Sequence, residues 1–213
     1  MHYKKEPFKV SESRRARALA IIAHPDDETI FLGGTISVFK DWRWSILCVT
    51  DCDERYNKAR RRELLKAASI YRKNGADIDV GMLGIVKKKG LLPKSNVSNA
   101  VKDFVKIKGP FDIVFTHNRV GDYGHNTHLI VSEAVRRLRF RNVRQFYLPY
   151  YGIDPKYRSN ILRLYEVKLP AKALKAKRIA INMYRSGSQK SNLAHLKRLI
   201  NHALNAGSEY FIS

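Results

Sequence analysis

Five short apolar runs recur along the chain: ALAIIA (18–23), WSILCVT (44–50), DIDVGML (77–83), FDIVFTH (111–117) and RQFYLP (144–149). Each is of strand length and too short for a buried helix. Between them the apolar positions take helical spacing or helix-forming composition. Thr29 to Lys40 predicts a helix in which Gly33-Gly34 allows close packing at some cost in propensity. Asp53 to Lys73 sets Leu64, Leu65, Ala67, Ala68 and Tyr71 against Arg and Lys, and stops at Asn74-Gly75. Val97 to Ile107 is closed by Gly109-Pro110, and His125 to Arg139 is apolar at Ile130, Val131, Ala134, Val135 and Leu138. Strands alternating with such helices predict an α/β fold with a mostly parallel sheet and right-handed crossovers. Beyond Pro149 the alternation lapses. YYGIDPKYRSN reads as a loop and LRLYEVKLP as an edge strand, while Ala171–Tyr184 and Gln189–Asn205 read as helices closing over the sheet. No Gly/Ser/Pro-rich linker divides the chain, so a single domain is expected over 18–213, behind a basic extension over 1–17.

Composition changes this picture mainly through charge. With 41 Lys and Arg against 19 Asp and Glu, the formal net charge is +22, spread over SRRARA, KARRRELLK, VKKKG, VRRLRFRNVR and KALKAKR. Such a surface attracts phosphates, nucleic acid or anionic lipid, yet by itself names none of them. RNA-module signatures are missing, so a dedicated nucleic-acid binder is disfavoured. No run approaches the roughly 20 apolar residues of a membrane span. The basic N-terminal stretch lacks the apolar core of a signal peptide. Cys48 and Cys52, without a matching Cys/His pair, make no zinc framework and are expected to be reduced thiols in a cytoplasmic protein. Oligomeric state is not legible.

The histidines and acids fall where predicted strands end, the edge at which open α/β sheets bind ligands. His24, Asp26 and Asp27 follow the first strand, Asp51 and Asp53 the second, and His117 the fourth; GDYGHNTH (121–128) comes next. The acids of HPDDE (24–28) also suit the positive end of a following helix. That explains Glu28 but leaves His24 and GHNTH unaccounted for. His24 and Asp27 are three apart, as are His125 and His128, a spacing that puts two side chains on one helical face. Three ligands drawn from these segments make a His/His/Asp set suited to zinc, with one coordination position open. His2, His195 and His202 read as ordinary structural or surface residues. His117 stays open between a core residue, a substrate contact and a partner to a ligand.

AHPDDE at 23–28, a Gly-Gly helix start and GHNTH at 124–128 together resemble the LmbE-like, or PIG-L, family of zinc-dependent N-deacetylases. That family includes the N-acetylglucosaminyl-phosphatidylinositol deacetylase and the mycothiol-pathway deacetylase and amidase. TDCDE (50–54), the Arg/Glu-bearing RRRELLKAASIYRKNGAD and the Ser-Gln of SGSQK extend the likeness from about Ala18 to Gln189. The resemblance implies a Rossmann-like three-layer sandwich that removes acetyl from an N-acetylated amino sugar, releasing acetate and a free amine. It implies that His24, Asp27 and His128 hold Zn2+ or another divalent ion, with Asp26 as general base. His125 would be an imidazolium that stabilises the oxyanion or protonates the leaving amine, and Tyr123 would help to polarise the carbonyl. Tyr184 stands where relatives often have His, so the substrate rim is expected to differ. The basicity suggests an anionic acceptor, phosphate- or nucleotide-linked, and leaves room for peripheral contact with an anionic membrane. The rival readings are an amidase or deacylase acting on a non-sugar amide, and a basic nucleic-acid- or membrane-binding protein on the same fold.

Overall fold

The computed structural model describes residues 5–8, 15–50, 57–86, 92–148, 163–185, 201 and 205–213. Eight strands form one sheet: β1 (Lys5–Pro7), β2 (Arg17–Ile22), β3 (Arg43–Cys48), β4 (Asp77–Met82), β5 (Ile113–Thr116), β6 (Val143–Tyr147), β7 (Leu164–Lys168) and β8 (Ser208–Ile212), in the order β1-β7-β8-β6-β5-β2-β3-β4. From β4 to β6 every pairing is parallel; β8 then runs antiparallel to both β6 and β7. The helices are α1 (Asp27–Val38), α2 (Asn57–Lys73), α3 (Lys94–Lys108), a short α4 (Gly121–Gly124), α5 (Asn126–Arg137) and α6 (Ala171–Ile181).

The sheet divides two apolar clusters. One gathers α1, α2 and α6 against one face, and the other gathers α3 and α5 against the opposite face. Ala18 to Ile22 of β2 are fully buried, as a central strand covered on both faces requires. The expected α/β three-layer architecture is therefore present. No helix among the described residues is long and apolar enough to cross a membrane.

Three features depart from the periodicity. LRLYEVKLP supplies β7, but not as an edge: β1 pairs outside it in parallel and β8 inside it. Its alternation reports one buried and one less buried face, which an interior strand can also have. β1 and β8 were not anticipated, because a three-residue strand containing proline and a short C-terminal segment carry little periodic signal. The loop YYGIDPKYRSN, the acids after Thr50, the SGSQK segment, Cys52, His2, His195, His202 and most of Gln189–Asn205 lie outside the described residues.

α1 begins with the last two residues of HPDDE, Asp27 and Glu28, and is enclosed almost throughout its length. Its glycines are required by close neighbours. A Cβ at Gly33 would lie 2.3 Å from Tyr71 Oη, and one at Gly34 would lie 2.4 Å from Leu169 side-chain atoms. At the same level the helix backbone is held by a buried ion pair. Lys177 Nζ donates to Ile30 O (2.8 Å) and to Glu209 Oε1 (2.6 Å), while Glu209 accepts from Gly34 N–H (2.9 Å) and Thr35 N–H (2.7 Å). Ile30 O is the acceptor that Gly34 would use in a regular helix. Lys177 and Glu209 thus stabilise backbone groups from outside, and join α6 and β8 to α1.

Candidate metal centre and catalytic turn

The site begins where β2 stops. After Ala23 the chain turns through His24-Pro25-Asp26 into α1, and Asp26 takes φ 125°, ψ −29°. A positive φ on a residue other than glycine costs of order 1–3 kcal/mol and persists only where its surroundings impose it. Here they do. Arg60 of α2 donates to Pro25 O and, at 2.8 Å, to Asp26 Oδ2. Asp26 N–H donates to Glu28 Oε2 (3.2 Å), and Asp26 O accepts from Ile30 N–H (2.9 Å). Glu28 Oε1 in turn accepts from Thr29 Oγ1 (2.5 Å) and from the Tyr184 hydroxyl. The Tyr184 ring lies beneath the Arg60 guanidinium, 5.5 Å from its centre.

The second half comes from the segment after β5. Gly121, Asp122 and Gly124 all have positive φ, which curls the chain before α5. Asp122 is buried at the centre of this curl. Its Oδ2 lies 2.5 Å from His117 Nδ1 and 2.8 Å from His128 Nδ1, and its Oδ1 accepts from Asn118 N–H. One carboxylate oxygen therefore orients two imidazoles. It fixes the proton of His128 on Nδ1 and turns Nε2 towards the HPDDE turn.

His128 Nε2 stands 3.3 Å from His24 Nδ1 and 3.5 Å from Asp27 Oδ1, and His24 Nδ1 is 3.6 Å from Asp27 Oδ2. Tetrahedral zinc with N and O ligands at 2.0–2.2 Å has ligand–ligand edges of roughly 3.4 Å. The three donors fit such an ion, although the two approaches to Asp27 use different oxygens. Two overlapping sets, His24/His125/His128 and Asp27/His117/His128, also bring their donor atoms within 4.8 Å of one another. Of these extra rings, His117 is already engaged: Nδ1 faces Asp122, and Nε2 lies 2.9 Å from the Ala23 amide. His125 caps α5, its Nδ1 accepting from Thr127 N–H at 3.3 Å. Tyr123 meets His125 and His128 edge-on, with ring centres 5.9 and 5.3 Å apart.

The electrostatics separate the two adjacent aspartates. Burial raises Asp26, and neighbouring Asp27 adds to this, against the opposing pull of Arg60. Burial acts on Asp27 too, but His128 and His117 more than offset it and hold that carboxyl well below its usual range. Burial pushes Glu28 up to about 7. Burial and the neighbouring His117 lower His128 to about 4, which keeps it in the neutral form a metal requires. For His117, burial is outweighed by Asp122 and Asp27, which lift it to about 9. The Ala23 amide contact opposes that charge, because an accepting Nε2 must be bare. At 2.9 Å it is shorter than the 3.3 Å approach to Asp27, and it favours the neutral ring with its proton on Nδ1.

Residues 19–138 match the family model described as PIG-L: GlcNAc-PI de-N-acetylase, which covers more than half of the chain. The chain belongs to the PIG-L family. The uncharacterised protein L374 of Acanthamoeba polyphaga mimivirus is 28% identical over 153 residues, 66% of this chain and 66% of that protein, so the match stops just short of two thirds of the relative's length. Solved structures reproduce the fold over nearly all of the PIG-L chain described here. The A40926 pseudoaglycone deacetylase superposes with a TM-score of 0.65 at 20% identity, covering 93% of this chain and 97% of that one. The N,N'-diacetylchitobiose deacetylase of Pyrococcus horikoshii gives 0.59 at 18% identity, covering 93% and 84%.

All six residues singled out from sequence meet at this edge: His24, Asp26 and Asp27 from one turn, Tyr123, His125 and His128 from the other. Asp122 and Arg60, which hold those residues, had no assigned role. Asp122 lay in full view within GDYGHNTH, and Arg60 within the Arg/Glu-bearing helix.

Proposed function

We propose that this protein is a zinc-dependent N-deacetylase of N-acetylated amino sugars, in which His24, Asp27 and His128 hold the ion. The observation that carries the reading is that His24, His128 and the two oxygens of Asp27 bring donor atoms within 3.3–3.6 Å of one another, with the carboxylate of the adjacent Asp26 held beside them by Arg60. A bound zinc supplies Lewis acidity, polarising the acyl carbonyl and lowering the pKa of a water from about 15.7 to about 7. Asp26 takes the proton from the attacking water, a role its raised pKa suits. His125 accepts the Thr127 amide at Nδ1, so its ring presents Nε2–H. That donor stabilises the oxyanion, and the proton that Asp26 takes from the water passes to the departing nitrogen and releases the amine. Tyr123, whose ring meets both His125 and His128 edge-on, is assigned to help polarise the carbonyl.

The excess of basic residues supports an anionic acceptor, phosphate- or nucleotide-linked. The buried Cys48 thiol accords with a cytoplasmic setting.

The test is acetate release from N-acetylglucosamine and UDP-N-acetylglucosamine, with metal content measured on the same sample. Wild type should hold zinc near one per chain and release acetate. Asp26→Ala should retain the zinc and lose roughly 10²–10⁴ in rate. Zinc without acetate from either sugar would discard the substrate class, and a panel of non-sugar amides would then be tried. A chain that takes up no metal on reconstitution would overturn the site.

A further inference from the structure

The positive charge is unevenly placed. On the outer side of α2, Lys58, Arg61, Arg62 and Lys66 are exposed, and on α6, which packs beside it, so are Lys172 and Lys175. Among the described residues none of these six forms a side-chain pair with an acid. α2 and α6 together contain a single acidic residue, Glu63. It is buried and turned inward, near Arg60 and accepting from Arg185 N–H. The opposite layer is built differently. There Glu133 of α5 binds both Arg136 and Arg137, Asp79 binds Lys108 of α3, and Asp103 of α3 is exposed among lysines. Among the described residues, the outer sides of α2 and α6 thus carry cations without an exposed acid, while the opposite layer is mixed.

Apolar side chains stand among these cations. Of the four large hydrophobics exposed among the described residues, Leu65 (42%) and Ile179 (40%) lie on α2 and α6, while Ile107 (77%) lies on α3 and Val86 (44%) beyond β4. The one aromatic residue of the two helices, Tyr71, is buried. A nucleic-acid surface gains from aromatic groups on which bases stack, and among the described residues these two helices expose none. Aliphatic side chains among lysines and arginines instead suit the headgroup–acyl boundary of a bilayer, where each cation near an anionic leaflet is favourable.

We propose that the outer face of α2 and α6 docks the protein onto an anionic lipid bilayer. The inference is independent of the deacetylase reading, since it uses no residue of the metal centre. It also gives α2 two faces: Arg60 supports the catalytic turn inward, and the cations outward set that turn about one helix diameter, roughly 10 Å, from the headgroups.

The test is co-sedimentation of the full chain with vesicles of phosphatidylcholine alone or with 30% phosphatidylserine, at about physiological salt. The variant Arg61→Glu/Lys66→Glu/Lys175→Glu is compared with Lys94→Glu/Lys102→Glu/Lys106→Glu on α3, which makes the same change in net charge. Glutamine versions of both sets, and thermal melts of all, guard against misfolding. The expected result is retention on the anionic vesicles alone, weakened at least about tenfold by the α2/α6 set and much less by the α3 set. Failure to bind anionic vesicles, equal binding to neutral ones, or equal loss in both sets overturns the proposal. So does displacement from the vesicles by duplex DNA at equal phosphate concentration, which would assign the face to nucleic acid.

Discussion

Asp122 gives one oxygen to two imidazoles, and the order of the metal centre depends on that single atom. Asp122→Ala leaves His128 free to rotate and its Nδ1 proton without an acceptor. Metal affinity should fall about 10- to 100-fold, read by competition with a chromogenic chelator. Tyr184 acts at one further remove, through Glu28 and the strained Asp26. Tyr184→Phe keeps the ring under Arg60 but removes the hydroxyl. It should cost about 1–2 kcal/mol in a denaturant melt and lower kcat while leaving bound metal unchanged. The residues proposed for the site stand out in the sequence because His24 and Asp27, like His125 and His128, sit three apart on a continuous piece of chain. Their supports do not. Arg60 and Asp26 are 34 residues apart, and Tyr184 and Glu28 are 156 apart, so only the fold brings them together.

Among the elements, α1 shows how little periodicity says about a helix enclosed on every side. Its Gly-Gly pair was visible, but the reason for it lies in Tyr71 and Leu169. Gly34→Ala drives a methyl into the Leu169 side chain and should destabilise the protein by about 1–3 kcal/mol, measured by urea unfolding. Lys177→Met leaves Glu209 buried without its cation, and a loss of about 3–5 kcal/mol is expected from the same measurement. On α5 the exposed chelate of Glu133 by Arg136 and Arg137 predicts a much smaller effect. Its pKa is held at about 2 by those arginines, below the ordinary 4.5. The native chain therefore binds fewer protons there than the unfolded chain between these values, so the stabilisation is present above pH 4.5 and fades as pH falls towards 2. Glu133→Gln should flatten that acid limb by well under about 1 kcal/mol after solvent screening, and added salt should erase the difference. The parallel strands and amphipathic helices were readable because their patterns are local. β1 and β8 became strands through their neighbours instead.

At the scale of the whole molecule, an ion held as proposed would join two segments about 100 residues apart, His24 and Asp27 on one side and His128 on the other. Ligand binding to the native state alone stabilises by about 2.7 kcal/mol at 100 times Kd. Stripping the metal with a chelator should lower the melting temperature accordingly, and zinc should restore it. The Glu209 pin has a different consequence, one of timing. Glu209 reaches the backbone of Gly34 across 175 residues of chain. Synthesis runs from the N-terminus at about 5–20 residues per second, so α1 leaves the ribosome roughly 10–35 s before the strand that secures it. Throughout that interval the HPDDE turn is already synthesised, but the helix behind it is not locked. A nascent chain stalled before β8 should therefore be cut by protease near Gly33-Gly34, and the same bond should become resistant once Glu209 has emerged.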